Sequence, residues 1–182
     1  MTLIIDEELV KEQRELMKDY VLKGKVLIYP TDTVYGLGCD ATNEECVKKI
    51  KDIKRRSKVF SVIAPSKEWI MENFEFEKEY LELLPGPYTL IMKMKKQVLP
   101  EELFEETVGV RIPDHWISDF VNYLQRPIVT TSANLTGEDT IKNLDEAKEE
   151  LLGGVDLFIN ARNLKNKPSK VINTTTKEVL RE

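Results

Sequence analysis

An α/β fold built on a mixed sheet follows from three features of this chain. Segments of strand composition and segments of helical periodicity interleave along the whole length. The part beyond Leu157 is richer in strands, which turns an otherwise parallel sheet into a mixed one. At 182 residues the chain fits a single domain, 1–182, of a size that buries roughly 70% of its unfolded surface without disulfides.

The elements can be placed in order. Residues 7–23 read as a helix with Leu9, Gln13, Leu16, Tyr20 and Leu22 along one side and Gly24 as its C-terminal cap. A core strand follows at 25–29. Thr42-Asn43-Glu44-Glu45 has capping-box spacing and opens a helix to about Arg55, with Val47, Ile50 and Ile53 inward. Residues 60–64 read as a strand, and Ser66 caps a short helix through Trp69 and Ile70. Pro85-Gly86-Pro87 is a turn, since proline cannot continue a helix. Strands are expected at 88–94 and 108–112. A helix is expected over 115–124 with Trp116, Phe120 and Leu124 inward, then a strand over 128–131 and a helix over 145–152 closed by Gly153-Gly154. Leu157-Phe158-Ile159 and Val171-Ile172 read as strands, and Val179-Leu180-Arg181 closes a hairpin with the latter.

Composition narrows the function classes. A net charge of −5 and a pI near 5.2 do not fit a globally basic nucleic-acid coat. Charge is nonetheless segregated: acids concentrate in 68–82, 101–106 and 138–150, bases in 48–58 and 162–170. Cys39 and Cys46, with His115 as the only histidine, do not complete a zinc site and read as reduced thiols. The N-terminus turns acidic at Asp6 before a signal core forms, and no apolar run approaches the ~18 residues of a membrane span. A cytoplasmic protein without membrane contact is expected.

The chemistry is carried by two polar signatures that each follow a β-branched run. The first is Tyr29-Pro30-Thr31-Asp32-Thr33-Val34-Tyr35-Gly36-Leu37-Gly38, the second Thr130-Thr131-Ser132-Ala133-Asn134. Hydroxyls and amides at strand ends face the edge where open α/β sheets bind ligands. Lys54 and Arg56 add cations, which suit a polyanion such as a nucleotide if the helix stops before both are placed. The alternative is a basic helix end that complements the dipole. Arg111 interrupts an apolar strand, so it pairs with an anion or snorkels to solvent. Ser132 and Asn134 share one face if the chain stays extended, and otherwise form a turn or a cap. His115, at a helix start, reads as a surface cap. One histidine gives little support to Ser-His-Asp or Cys-His catalysis, and neither a Walker A nor a GxGxxG motif is present.

Taken together the motifs resemble the YrdC-like family. They run in family order: PTDTVYGLG at 30–38, Lys54-x-Arg56, PGPYT at 85–89, GVRIP at 109–113, TSAN at 131–134, a late Pro168-Ser169 and a terminal Leu180-Arg181-Glu182. The resemblance implies a single YrdC-like domain, a twisted mixed sheet flanked by helices around a concave, positively lined cavity. It implies an L-threonylcarbamoyladenylate synthase, a nucleotidyltransferase that joins L-threonine, bicarbonate and ATP, with Mg2+ accompanying ATP and no metal held by the protein alone. The product would serve tRNA threonylcarbamoyladenosine modification at position 37 of ANN-decoding tRNAs, through a separate transfer complex.

Residue by residue, the resemblance assigns Lys54 and Arg56 as catalytic contacts to phosphate and carboxylate. Thr33, Tyr35 and Arg111 fall to threonine or the adenylate, and Thr131, Ser132, Asn134, Ser169 and Arg181 to the nucleotide. Two departures stand out. The segment Ser57–Ile63 is shorter than the family's and lacks its histidine, and Lys170 replaces the threonine after Pro168-Ser169. Other readings are a carbamoyl-adenylate enzyme of the hydrogenase-maturation type, a double-stranded RNA or tRNA binder limited by net charge to weak binding, and a nucleotide-binding paralogue without turnover.

Overall fold

The computed structural model describes residues 2–55, 60–101, 104–161 and 163–182. Its strands are β1 (Leu3–Asp6), β2 (Leu27–Tyr29), β3 (Gly36–Gly38), β4 (Ser61–Ile63), β5 (Phe74–Glu75), β6 (Tyr88–Met94), β7 (Thr107–Arg111), β8 (Ile128–Ser132), β9 (Leu157–Asn160), β10 (Lys170–Asn173) and β11 (Val179–Arg181). Its helices are α1 (Glu7–Glu12), α2 (Arg14–Leu22), α3 (Glu44–Lys54), α4 (Lys67–Asn73), α5 (Trp116–Leu124) and α6 (Glu149–Gly153). Among the described residues the strands join in one sheet, ordered β1-β9-β2-β3-β8-β4-β7-β6-β10-β11, with β5 on β6. The sheet is mixed: β1/β9, β2/β9, β4/β7 and β6/β10 are parallel, and the other pairs are antiparallel.

Strand alternation sends successive side chains to opposite faces, and the two faces differ. On one, Ile28, Val62, Leu90, Val110, Val129 and Phe158 pack continuously from β9 to β6, with Val47 and Ile50 of α3 and Ile70 of α4. On the other, Leu27, Tyr29, Ile63, Ile128 and Leu157 pack under Val10 of α1, Met17 and Val21 of α2, and Phe120 and Leu124 of α5. This second cluster takes no described residue from β6, β7 or β10. The three helices therefore roof only half of that face, and the other half stays open.

Several expectations need correction. The helix over 7–23 breaks at Gln13, whose φ −111° and ψ 50° leave the helical region. Val10, Met17 and Val21, spaced seven and four apart, face inward while Leu9, Leu16 and Leu22 are exposed, so the buried stripe lies one position along from the expected one. Gly24 is the positive-φ residue after α2, as expected. β1, β3 and β5 have no counterpart among the expected elements, and the helix over 145–152 is a 3-10 turn (Leu144–Glu146) and then α6. Gly36-Leu37-Gly38 is a strand paired with β2, which makes Pro30–Tyr35 the connecting turn. A Cβ on Gly38 would lie 1.9 Å from the Val129 carbonyl oxygen, and one on Gly36 2.8 Å from the Tyr29 ring. Gly38 therefore allows close packing of chain on chain, and Gly36, packed on Tyr29, also lines the cavity on the open half.

The helix caps agree with the local sequence rules. Asn43 accepts from Cys46 N at α3, Ser66 accepts from Trp69 N at α4, and His115 Nδ1 accepts from Ile117 N at α5. Trp116 is only half-buried and donates through Nε1 to Glu7, while Ile117 and Val121 join Phe120 and Leu124 inward.

Candidate active site

The open half of the sheet face is the floor of a cavity of about 520 Å³, within the usual range for small-molecule sites. Its floor side chains sit at alternate positions from the apolar ones. In β6, Leu90 and Met92 face the core while Thr89 and Ile91 face the cavity. In β7, Val108 and Val110 face the core while Gly109 and Arg111 face the cavity. Ser61 of β4 pairs with Thr130 of β8, and both line the cavity. A Cβ at Gly109 would come within 2.4 Å of Ser61 Oγ and 3.0 Å of Thr89 Cγ2, so glycine keeps the centre of the floor deep.

Two connections wall the floor. The β2–β3 turn supplies Thr31, Thr33 and Tyr35, and the chain running from β9 across to β10 supplies Pro168 and Ser169. The turn is fastened internally. Thr31 donates to the Val34 carbonyl at 2.8 Å and lies 3.0 Å from Thr33 Oγ1. With the Thr31 proton committed, the Thr33 hydroxyl donates to Thr31 and keeps its lone pairs for acceptance. Tyr35 is fully buried, and its hydroxyl accepts from Ala161 N at 2.9 Å and donates to Ala161 O at 2.5 Å. Tyr35 thus fastens the crossing segment to the turn, and burial pushes its pKa up. Asn166 donates to the Asp32 carbonyl and secures the same segment further along.

Arg111 resolves the question that its place in an apolar strand raised. It is buried and paired: Nη2 donates to Asp32 Oδ1 at 2.5 Å and Nη1 to Thr33 Oγ1 at 3.3 Å. Asp32 Oδ2 also accepts from Asp114 N. Burial pulls the Arg111 pKa down and the Asp32 charge opposes the shift. Nε of Arg111 is buried without a hydrogen-bond partner, a cost that folded proteins seldom leave uncompensated. At the opposite wall Arg181 donates from Nε to the Ser169 carbonyl at 2.8 Å and from Nη2 to Ser169 Oγ at 3.0 Å. The charged side chains among the described lining residues are Arg111, Arg181 and Glu105.

Of the residues expected in the site, Thr33, Tyr35, Arg111, Thr131, Ser132, Ser169 and Arg181 line this one cavity. Lys54 and Asn134 lie behind it. α3 ends at Lys54, and Arg55 is left-handed with φ 45°. Lys54 is 3% exposed, and its ammonium donates to Ser132 O at 2.9 Å, Asn134 O at 2.7 Å and Asn134 Oδ1 at 2.6 Å. Asn134 does not share a face with Ser132, because Asn134 N bonds Ser132 O and the chain turns there. Its side chain accepts from Ser132 Oγ and faces a smaller pocket of about 230 Å³. Arg56 lies outside the described residues, as do Ser57, Lys58 and Val59 of the shortened segment. Lys170 reaches Glu182 at 3.3 Å. Sequence reasoning gave no site role to Ser61, Thr89 and Gly109, and Thr130, though within the second signature, was not singled out. Their signal was small or hydroxyl residues at alternate positions of otherwise apolar strands.

The fold has counterparts among known proteins. The model of the Sua5/YciO/YrdC family, described as "Telomere recombination", matches residues 19–182. A relative from Methanocaldococcus jannaschii is 36% identical over 176 residues, covering 92% of this chain and 83% of its own. It carries provisionally the name threonylcarbamoyl-AMP synthase, which a Vibrio campbellii relative, 31% identical over 171 residues, carries outright. That match covers 87% of this chain and 92% of the Vibrio protein. Among solved structures, P. abyssi Sua5 complexed with L-threonine superposes with a TM-score of 0.82 at 27% identity, over 96% of this chain. The chain spans 54% of that Sua5. The chain belongs to the Sua5/YciO/YrdC family.

Proposed function

We propose that this family member is an L-threonylcarbamoyladenylate synthase. The observation that carries the reading is the open half-sheet, where Arg111, Arg181, Ser132, Ser169 and the Thr31–Thr33 turn converge on one cavity. Its relatives' names and the threonine bound to the similar Sua5 support the choice of substrates.

The chemistry asks little covalent work of the protein. The threonine amine and bicarbonate form a carbamate with loss of water. A carbamate oxygen then attacks the α-phosphorus of ATP, the bond to the bridging oxygen breaks, and pyrophosphate leaves with its electron pair. The substrate supplies the nucleophile, so the protein's task is positioning and charge stabilisation. Arg111 and Thr33 take the amino-acid end, where a fixed guanidinium suits a carboxylate. Tyr35 holds the wall beside them. Thr131, Ser132, Ser169 and Arg181 take the nucleotide. Lys54 and Arg56 serve the triphosphate, Lys54 through the Ser132–Asn134 loop that it fastens. Mg2+ accompanying ATP would offset the phosphate charge, and Glu105, the carboxylate among the described lining residues, is the side chain that would help hold it. The adenylate then feeds tRNA modification at position 37 through a separate transfer complex.

The test is pyrophosphate release from ATP and bicarbonate with L-threonine, with L-serine and with no amino acid. Threonine-dependent release is expected. Release indifferent to the amino acid would replace this reading with unspecific adenylation.

A further inference from the structure

Thr89, in the PGPYT motif, has no assignment so far. It is 4% exposed on the cavity floor. Its Oγ1 lies 2.8 Å from Ser169 Oγ, which accepts from Arg181 Nη2 at 3.0 Å. A hydroxyl that accepts from a charged N–H becomes a stronger donor. Ser169 therefore donates to Thr89, and the proton of Thr89 is left uncommitted among the described residues. The ladder pairing Leu90 with Val110 and Ile91 with Gly109 continues to place Thr89 across from Arg111, on the same face. Arg111 Nε is the buried donor without a partner. Two uncommitted donors thus stand at facing positions of neighbouring strands, one braced by Asp32 and the other by the Arg181–Ser169 chain.

We propose that Thr89 is a further substrate-contacting residue, whose hydroxyl joins Arg111 Nε–H in seating one anionic oxygen of the substrate. This deepens the synthase reading and rests on it. A carboxylate or carbamate oxygen of the amino acid and a phosphoryl oxygen of the nucleotide share the required chemistry, and binding measurements separate them. Calorimetry with L-threonine alone and with ATP alone should show Thr89→Val weakening one of the two by about 10–100-fold, the range for a hydrogen bond to a charged group. Thr89→Ser should restore it, and the melting temperature of the serine variant should match wild type. Loss confined to L-threonine assigns the carboxylate, and loss confined to ATP assigns the phosphoryl group. Unchanged affinity for both ligands, in a folded Thr89→Val protein with wild-type turnover, overturns the proposal. Failure of the wild-type protein to release pyrophosphate with threonine would instead remove the synthase reading, so the two failures are distinct.

Discussion

The helix-roofed half and the open half of one sheet face are made by the same alternation and put to opposite use. Under α1, α2 and α5 the outward positions of β2, β4, β8 and β9 carry Leu27, Tyr29, Ile63, Ile128 and Leu157. Beyond the roof, the equivalent positions of β6, β7 and β10 carry Thr89, Ile91, Gly109, Arg111 and Val171 and line the cavity. The other face of the sheet carries one apolar cluster that runs from β9 to β10. The open half therefore gives up packing on one side only, and it is supported from beneath by a continuous core.

The comparison can be broken from either side. Phe120→Ala, under the roof, should cost about 3–5 kcal/mol of stability, read by urea unfolding. Its ligand affinities below the transition should stay at wild type; a selective loss of ATP or threonine binding would show the halves to be coupled. Lys54→Met acts on the open half from behind, since its ammonium holds the Ser132 and Asn134 carbonyls. Turnover should fall about 10²-fold, the cost of misplacing positioned groups from a distance, and amide exchange over 132–138 should quicken. Turnover at the wild-type level would remove Lys54 from the site.

Gly109→Ala sharpens the comparison at the floor. The added methyl meets Ser61 Oγ and Thr89 Cγ2, a crowding worth about 1–3 kcal/mol. Ligand affinity should fall further than stability; the reverse order would make Gly109 a packing residue. The smallest effect concerns His115 at the α5 cap. Burial lowers its pKa, Glu7 and Asp32 oppose the shift, and Lys11 and Arg111 add to it. A depressed folded pKa means that the unfolded chain binds the proton more readily. The cap's contribution, about 1 kcal/mol, is therefore present above pH about 6.5 and lost as pH falls through the lower folded value. His115→Asn should flatten that part of the pH dependence of unfolding. An unchanged slope would assign it to other groups.

Much of this is legible in the chain. The strands over 88–94 and 128–131 and the cap at Ser66 follow local rules that the structure obeys, while the helix opened by Thr42–Glu45 is capped by Asn43, one residue beyond the Thr42 that the capping-box spacing implies. The two polar signatures do meet at one cavity, β3 pairing directly with β8. Local patterns fail where tertiary packing decides. Leu9 and Leu16 read as core because two adjacent stripes, one through Leu9 and Leu16 and one through Val10, Met17 and Val21, are both apolar, and only packing chooses between them. Strand ends are the expected ligand edge, whereas the cavity lies on an open face. Which half of a face a helix covers depends on chain crossings, and those do not appear in a periodicity. A lysine at a helix end reads as pointing at a ligand, but the acceptors that the Lys54 ammonium meets lie 78 and 80 positions away.

The most direct test supplies labelled bicarbonate with L-threonine and ATP and tracks the label by mass spectrometry. The account predicts label in a threonylcarbamoyl-adenylate that forms only when all three substrates are present and is lost with substitution of Arg111. Pyrophosphate release without labelled adenylate, or labelled adenylate that forms equally without threonine, would contradict it.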